Sequence, residues 1–279
     1  MIARLLRPIG LSEAVEEATY GGKAAQLAAA LRAGLPVPDG VALAADFVEA
    51  TAAGEPGALR ELEEAAGSLR PPLAVRSSAV GEDSETASFA GQHVTLLNVR
   101  APDGLVDAVR AIRESARSES ALAYRRRLGL AGKPRMAVVV QELIDADSAG
   151  VLFTRNPIDG ADEIVVEAAW GLGEAVVAGL VTPDRFRIAR GGTVLERVIG
   201  EKDLAVALAP RGGTHEVPIP DEQARAPCLD DRQLADLARL AERCELVFGG
   251  ARDLEWAFAS GVLHLLQCRA VTRIAPLLP

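Results

Sequence analysis

Apolar residues recur at spacings of three and four over residues 22–33, where Ala24, Leu27, Ala28 and Leu31 form one stripe. That period predicts a helix. Gly21-Gly22 before it and Gly34 after it punctuate both ends. Leu35-Pro36-Val37-Pro38-Asp39-Gly40 reads as a turn-rich connection into a short apolar stretch. Residues 57–68, rich in alanine and glutamate, predict a second helix, and charged sequence over about 103–127 predicts more. The clearest helix covers 231–248, with Leu234, Leu237, Ala241, Cys244 and Phe248 on one stripe.

Between these lie strand patterns. Leu73-Ala74-Val75-Arg76 predicts a short buried strand, followed by a polar segment from Ser77 to Gln92. Met136 to Val140 is a continuous apolar run suited to a central strand. Residues 149–153 and 163–168 predict two more strands, divided by a turn at Asn156-Pro157-Ile158-Asp159-Gly160. Gly171-Leu172-Gly173-Glu174 opens a short helix, and 184–200 reads as a strand pair joined by Gly191-Gly192. Strands at 252–258 and 262–269 close the pattern. Strands mixed with helices indicate an α+β or α/β architecture.

The last two strands alternate sharply. Asp253, Glu255 and Ala257 interleave with Leu254, Trp256 and Phe258. A three-residue turn, Ala259-Ser260-Gly261, predicts Asp253 opposite Gln267 and Glu255 opposite Leu265. One face then gathers Asp253, Glu255, Gln267 and Arg269. The other packs Leu254, Trp256 and Phe258 against Val262, His264, Leu266 and Cys268. A slip of one residue would mix the two sets. The polar face suits a magnesium–triphosphate site, because hard oxygens hold Mg²⁺ and a guanidinium forks onto phosphate. It equally describes a solvent-facing strand with a surface ion pair.

Composition narrows the function classes. With 279 residues the chain has room for one large domain or two small ones. Aromatics are 4%, so Leu, Val and Ala must build the core. The net charge of −9 argues against nucleic acid and anionic membrane as partners, but a nucleotide site needs only a local cluster of donors. Cys228, Cys244 and Cys268 are widely spaced without a CxxC pair, and read as reduced, half-buried thiols. Without an apolar leader or an 18-residue apolar run, the expected location is the cytoplasm.

Two further segments carry positive charge where an anion could sit. Lys23 follows Gly21-Gly22 at a helix entrance, where open backbone N–H groups favour anions. The spacing is not that of a Walker A loop, and a capped helix with a solvated lysine fits equally well. Arg76 ends a strand, a position that often lines a ligand crevice. The polar segment Gly81–Gly91 after it reads either as an exposed loop or as a lid over phosphates.

Taken in order, these segments resemble the nucleotide-binding domain of the phosphoenolpyruvate synthase and pyruvate phosphate dikinase family, shared by rifampin phosphotransferases. The resemblance covers Gly21-Gly22-Lys23-Ala24, Ala33-Gly34-Leu35-Pro36-Val37-Pro38 and Ala74-Val75-Arg76-Ser77-Ser78-Ala79. It continues through Glu82-Asp83, Ala87-Ser88-Phe89-Ala90-Gly91-Gln92 and Gly150-Val151-Leu152-Phe153-Thr154-Arg155-Asn156-Pro157. Glu167-Ala168-Ala169-Trp170-Gly171-Leu172-Gly173-Glu174 and Gly179-Leu180-Val181-Thr182-Pro183-Asp184 follow. It ends with Asp253-Leu254-Glu255-Trp256-Ala257 and Leu266-Gln267-Cys268-Arg269-Ala270-Val271-Thr272.

The resemblance implies an α+β, two-lobed ATP-grasp-type fold, with an N-terminal lobe over 1–145 and a C-terminal lobe over 146–279. It implies ATP and Mg²⁺ as cofactors. Lys23 and Arg76 would bind phosphates, and Lys23 and Arg269 would act on the transferring phosphoryl group. Glu255 and Gln267 would hold the metal, with Asp253 close by. Gln141, Glu142 and Ile144 would border the adenine. Relatives pass phosphate to a histidine on a separate carrier domain, so a carrier on another chain is the expected partner. His215, in Gly212-Gly213-Thr214-His215, and His93, after the polar segment, are weaker candidates for that role. A non-catalytic ATP-binding regulatory or scaffold module is the alternative.

Overall fold

The computed structural model describes residues 7–79, 94–127 and 134–271. The chain divides into two units: Met1–Ala29, Asp39–Leu143 and Pro210–Gly213 form the first, and Ala30–Pro38, Ile144–Ala209 and Thr214–Pro279 the second.

The first unit contains β1 (Ile9–Gly10), α1 (Glu17–Arg32, whose last turn from Ala30 belongs to the second unit), β2 (Gly40–Leu43), α2 (Ala45–Ala53) and α3 (Pro56–Ala66). It continues with β3 (Leu73–Ala79), β4 (Thr95–Val99), α4 (Asp103–Ser115), α5 (Glu119–Arg127) and β5 (Met136–Glu142). The strands form one antiparallel sheet in the order β1-β2-β5-β3-β4. Val75 stands opposite Val140, which stands opposite Val41. Leu73, Val75, Val138, Val140, Val41 and Leu43 therefore share a buried apolar face. Helices α2 and α4 pack on each other and on β5, and bring Phe47, Val48, Leu105, Val109 and Ile112 into this core. The opposite face carries Ala74, Arg76, Ser78, Val139 and Gln141.

The sequence placed the end of β3 at Arg76, yet the strand runs on through Ser77-Ser78-Ala79. Their hydroxyls make this possible. Ser77 Oγ accepts from the Val94 N–H at 3.1 Å, and Ser78 Oγ accepts from the Ala24 N–H at 3.1 Å. Both serines are fully buried without being unsatisfied. The apolar stretch after Gly40 proved to be a strand followed by a helix, and β4 had no counterpart in the pattern reading.

The second unit contains β6 (Ser148–Phe153), β7 (Glu163–Trp170), α6 (Glu174–Val177), β8 (Asp184–Ala189), β9 (Val194–Val198), β10 (Leu204–Leu208) and β11 (Thr214–Pro218). It ends with α7 (Asp221–Ala224), α8 (Asp231–Phe248), β12 (Arg252–Ala259) and β13 (Val262–Ala270). Six strands form an antiparallel sheet in the order β13-β12-β6-β7-β8-β9, and β10-β11 is a separate hairpin. Cys268, Leu254, Leu152, Val166 and Phe186 align across one buried face. Helix α8 packs on β6, β12 and β13. Its buried stripe is Leu234, Leu237, Leu240, Ala241 and Cys244, and each large apolar side chain so buried contributes about 1.5–3 kcal/mol. A capping box starts the helix: Asp230 accepts from the Gln233 N–H and Gln233 accepts from the Asp230 N–H.

Beside this sheet lies a fully buried ion pair. Lys202 Nζ donates to Asp184 Oδ1 at 2.5 Å and to the Gly200 carbonyl at 3.0 Å. Asp184 also accepts from the Gly200 and Cys228 N–H groups, so the desolvated carboxylate is well supplied with donors. The three cysteines are free and buried rather than half-buried. Each unit has its own sheet and core, and the α+β class holds.

Candidate functional site

In the first unit, Arg76 and Gln141 stand on one sheet face, and both are buried. Arg76 Nη1 donates to Gln141 Oε1 at 3.3 Å. Gly40 stands opposite Gln141 on β2, where a Cβ would fall 2.7 Å from Gln141 Cγ, so the glycine makes room for the amide. Gly21 breaks α1 with φ 80° and ψ 164°, and the helix restarts at Gly22-Lys23. Its first turn lies on β3 through the Ala24–Ser78 bond, two residues from Arg76 on the same face. Lys23 is only 7% exposed at that head.

Glu142 does not join this group. It falls on the opposite face, where Arg70 donates through Nη2 at 2.8 Å and through its backbone N–H at 3.0 Å. The Arg70 guanidinium holds the Glu142 carboxyl below the usual carboxylate range. Ile144 is half-buried where the chain enters the second unit.

In the second unit the predicted hairpin forms, but its register differs. The turn is two residues long: Ala259 pairs with Val262, and Ser260 and Gly261 have φ 49° and 77°. Two consecutive positive φ angles are the mark of a tight hairpin turn. Trp256 then opposes Leu265, and a bulge leaves Leu266 as the extra residue. Beyond it Glu255 opposes Gln267 and Asp253 opposes Arg269. The bulge restores the parity that the shorter turn would have broken, so the four polar residues still share a face. The same pairing changes the face of two apolar-strand residues. His264 opposes Ala257, and Val262 opposes Ala259, on the polar face rather than the apolar one. Burial holds the His264 imidazole below its ordinary pKa.

Arg269 donates through Nε and Nη2 to Asp253 Oδ2 at 2.8 and 2.7 Å. Burial pushes the Asp253 carboxyl up, the Arg269 charge opposes this, and the net direction is upward. Glu255 and Gln267, directly opposed and half-buried, offer two adjacent hard oxygens. Among the described residues no group of three His, Cys, Asp or Glu could hold a metal unaided. A pair of protein oxygens still fits Mg²⁺, which takes one or two such ligands and completes its shell with phosphate and water.

The same face extends further than the sequence reading reached. The row from Gln267 and Glu255 continues through Val151 to Glu167 and Arg185, and the next row through Phe153 and Val165 to Arg187. Glu163, Val165 and Glu167 alternate in period two, which was the available clue. Glu163 is spoken for: Arg187 donates to both its oxygens at 2.8 Å and Asn156 Nδ2 at 2.7 Å. His215 is exposed on β11. The expected lid at 80–92 and His93 lie outside the described residues.

Residues 56–276 match the sequence profile of the pyruvate phosphate dikinase AMP/ATP-binding domain. A rifampicin phosphotransferase of Streptomyces sviceus is 42% identical over 74% of this chain and 24% of its own length. A probable phosphoenolpyruvate synthase of Methanothermobacter thermautotrophicus is 41% identical over 72% of this chain and 30% of its own. The prodigiosin-synthesising transferase PigC of Serratia marcescens is 37% identical over 92% of this chain and 32% of its own. The chain thus spans about a quarter to a third of these curated relatives. Among solved structures, a D-alanine–D-alanine ligase of Bacillus anthracis covers 94% of this chain and 58% of its own at 11% identity and a TM-score of 0.41. On the profile match and these sequence identities, the chain belongs to the pyruvate phosphate dikinase AMP/ATP-binding domain family.

Proposed function

We propose that this chain binds Mg-ATP and works as the ATP-using part of a phosphotransferase that passes a phosphoryl group to a carrier histidine. The observation that supports this best is the β12–β13 face, where Asp253, Glu255, Gln267 and Arg269 stand together in a register fixed by a bulge. Lys23, Arg76 and Gln141, grouped in the first unit, supply a second set of phosphate and base contacts. Magnesium, when bound with the triphosphate, would neutralise charge on the transferring group.

The chain's own residues divide the remaining work. Arg269, held by Asp253, would contact the transferring phosphate. Lys23 and Arg76 orient the phosphate chain, and Gln141 holds Arg76 in place. Phosphoryl transfer asks for positioning and electrostatics more than for covalent chemistry, and this residue set supplies those. Glu255→Ala should abolish magnesium-dependent ATP binding, measured by calorimetry with and without chelator, while circular dichroism stays unchanged. Full retention of magnesium-dependent binding in that variant would remove the metal assignment.

A further inference from the structure

In the first unit one contact brings the Lys23 helix head to the Arg76 strand. Gly21 presses against β3 so closely that a Cβ there would fall 2.2 Å from the Ser78 carbonyl oxygen and 2.5 Å from its Oγ. Its φ of 80° is also one that side-chain-bearing residues rarely adopt. From the other side, fully buried Ser78 accepts the Ala24 N–H through its hydroxyl. A helix leaves its first four N–H groups without internal partners, and a cap normally comes from the residue just before them. Here it comes from a strand 54 residues away in the sequence. That strand carries Arg76 two positions earlier on the same face, and the capped helix head carries Lys23.

We infer that Ser78 is a positioning residue: its hydroxyl ties the helix head bearing Lys23 to the strand bearing Arg76, and so sets the two cations for one phosphate chain. Gly21 is the other half of the device, because only a residue without a Cβ lets the helix head come this near. The tie also occupies the Ala24 N–H. The helix head therefore addresses an anion through the Lys23 ammonium, not through that amide, which alters the sequence-based picture of open N–H groups. The inference rests on the ATP reading above.

The test is the ratio of ATP to AMP affinity, measured by calorimetry on the full chain with magnesium present. Ser78→Ala should lower that ratio severalfold, because Lys23 and Arg76 would no longer be held together for the phosphates that ATP has and AMP lacks. Gly21→Ala perturbs the same contact with the hydroxyl intact, and should lower the ratio in the same direction. A purely structural role would move stability, read as Tm, and would weaken both nucleotides together. A folded Ser78→Ala protein with an unchanged ratio overturns the inference. If Ser78→Ala does not fold, Gly21→Ala decides by the same reading, and failure of both to fold assigns Ser78 to stability alone. Wild-type protein that binds neither nucleotide overturns the ATP reading itself, and this inference with it. Wild-type binding with an unmoved ratio sinks only the inference.

Discussion

At the residue scale, the sheet of the second unit sets charged groups in different environments. Asp253 is buried beside one guanidinium, and its carboxyl is pushed up despite Arg269. Glu163 has the same kind of partner and more donors: Arg187 and Asn156 together hold its carboxyl below the ordinary range. For Glu163 the consequence for stability has a definite sign. A carboxyl whose folded pKa is depressed contributes stability above its unfolded value of about 4.3, and that contribution disappears as pH falls through the folded value. Glu163→Gln should therefore lower stability by about 1–2 kcal/mol near neutral pH. The gap between variant and wild type should close in acid. Urea unfolding of both proteins across pH 3–7 checks this, and a gap independent of pH would refute it.

The sequence shows Glu163 and Arg187 but not their pairing. They lie 24 positions apart, and adjacent strands bring them together. Ser77 and Ser78 were misread for the same reason. Hydroxyls in a row suggest a loop, and only distant N–H partners make them good strand residues. Lys23, Arg76, Asp253, Glu255, Gln267 and Arg269 could be proposed from the sequence because a phosphate and metal site needs charged or hard-oxygen groups.

At the element scale, α8 was readable because its determinants are local. The stripe runs in steps of three and four, and the Asp230–Gln233 capping box lies within four residues. The β12–β13 hairpin was readable as a hairpin, but not in register. Alternation in period two fixes which residues can share a face within each strand. It does not say how many residues the turn consumes, nor that Leu266 bulges out. Two positive φ angles at Ser260-Gly261 chose the short turn. Asparagine tolerates that conformation better than serine, so Ser260→Asn should raise stability by a few tenths of a kcal/mol. Gly261→Val should lower it by about 1 kcal/mol or more, because a β-branched residue is strained at φ 77°. Thermal unfolding of both variants gives the signs, and a stabilising Gly261→Val would contradict the turn.

At the scale of the whole molecule, each unit carries its own sheet and its own group of candidate residues. The curated relatives named above are three to four times longer than the stretch they share with this chain, and transfer to a carrier histidine is the proposal to test. ATP turnover by this chain should rise strongly when a carrier domain from a relative is added, followed as AMP and phosphate release. Equal turnover with and without the carrier would refute transfer to a histidine. ATP binding without turnover under either condition would leave a non-catalytic nucleotide-binding module. Saturating Mg-ATP at about 100 times Kd should add about 2.7 kcal/mol of stability, and chelation should remove most of it.

The sequence by itself determined the α+β class, the main helices and strands, and the family, because periodicity, caps and ordered motifs are written locally along the chain. It also named the charged residues of the proposed site. Only the tertiary structure decided which of them stand together. A tight turn and a bulge set Glu255 against Gln267, and one serine hydroxyl joined the helix of Lys23 to the strand of Arg76. Each of those outcomes depends on backbone angles or on partners far apart in the chain, and no local pattern encodes them.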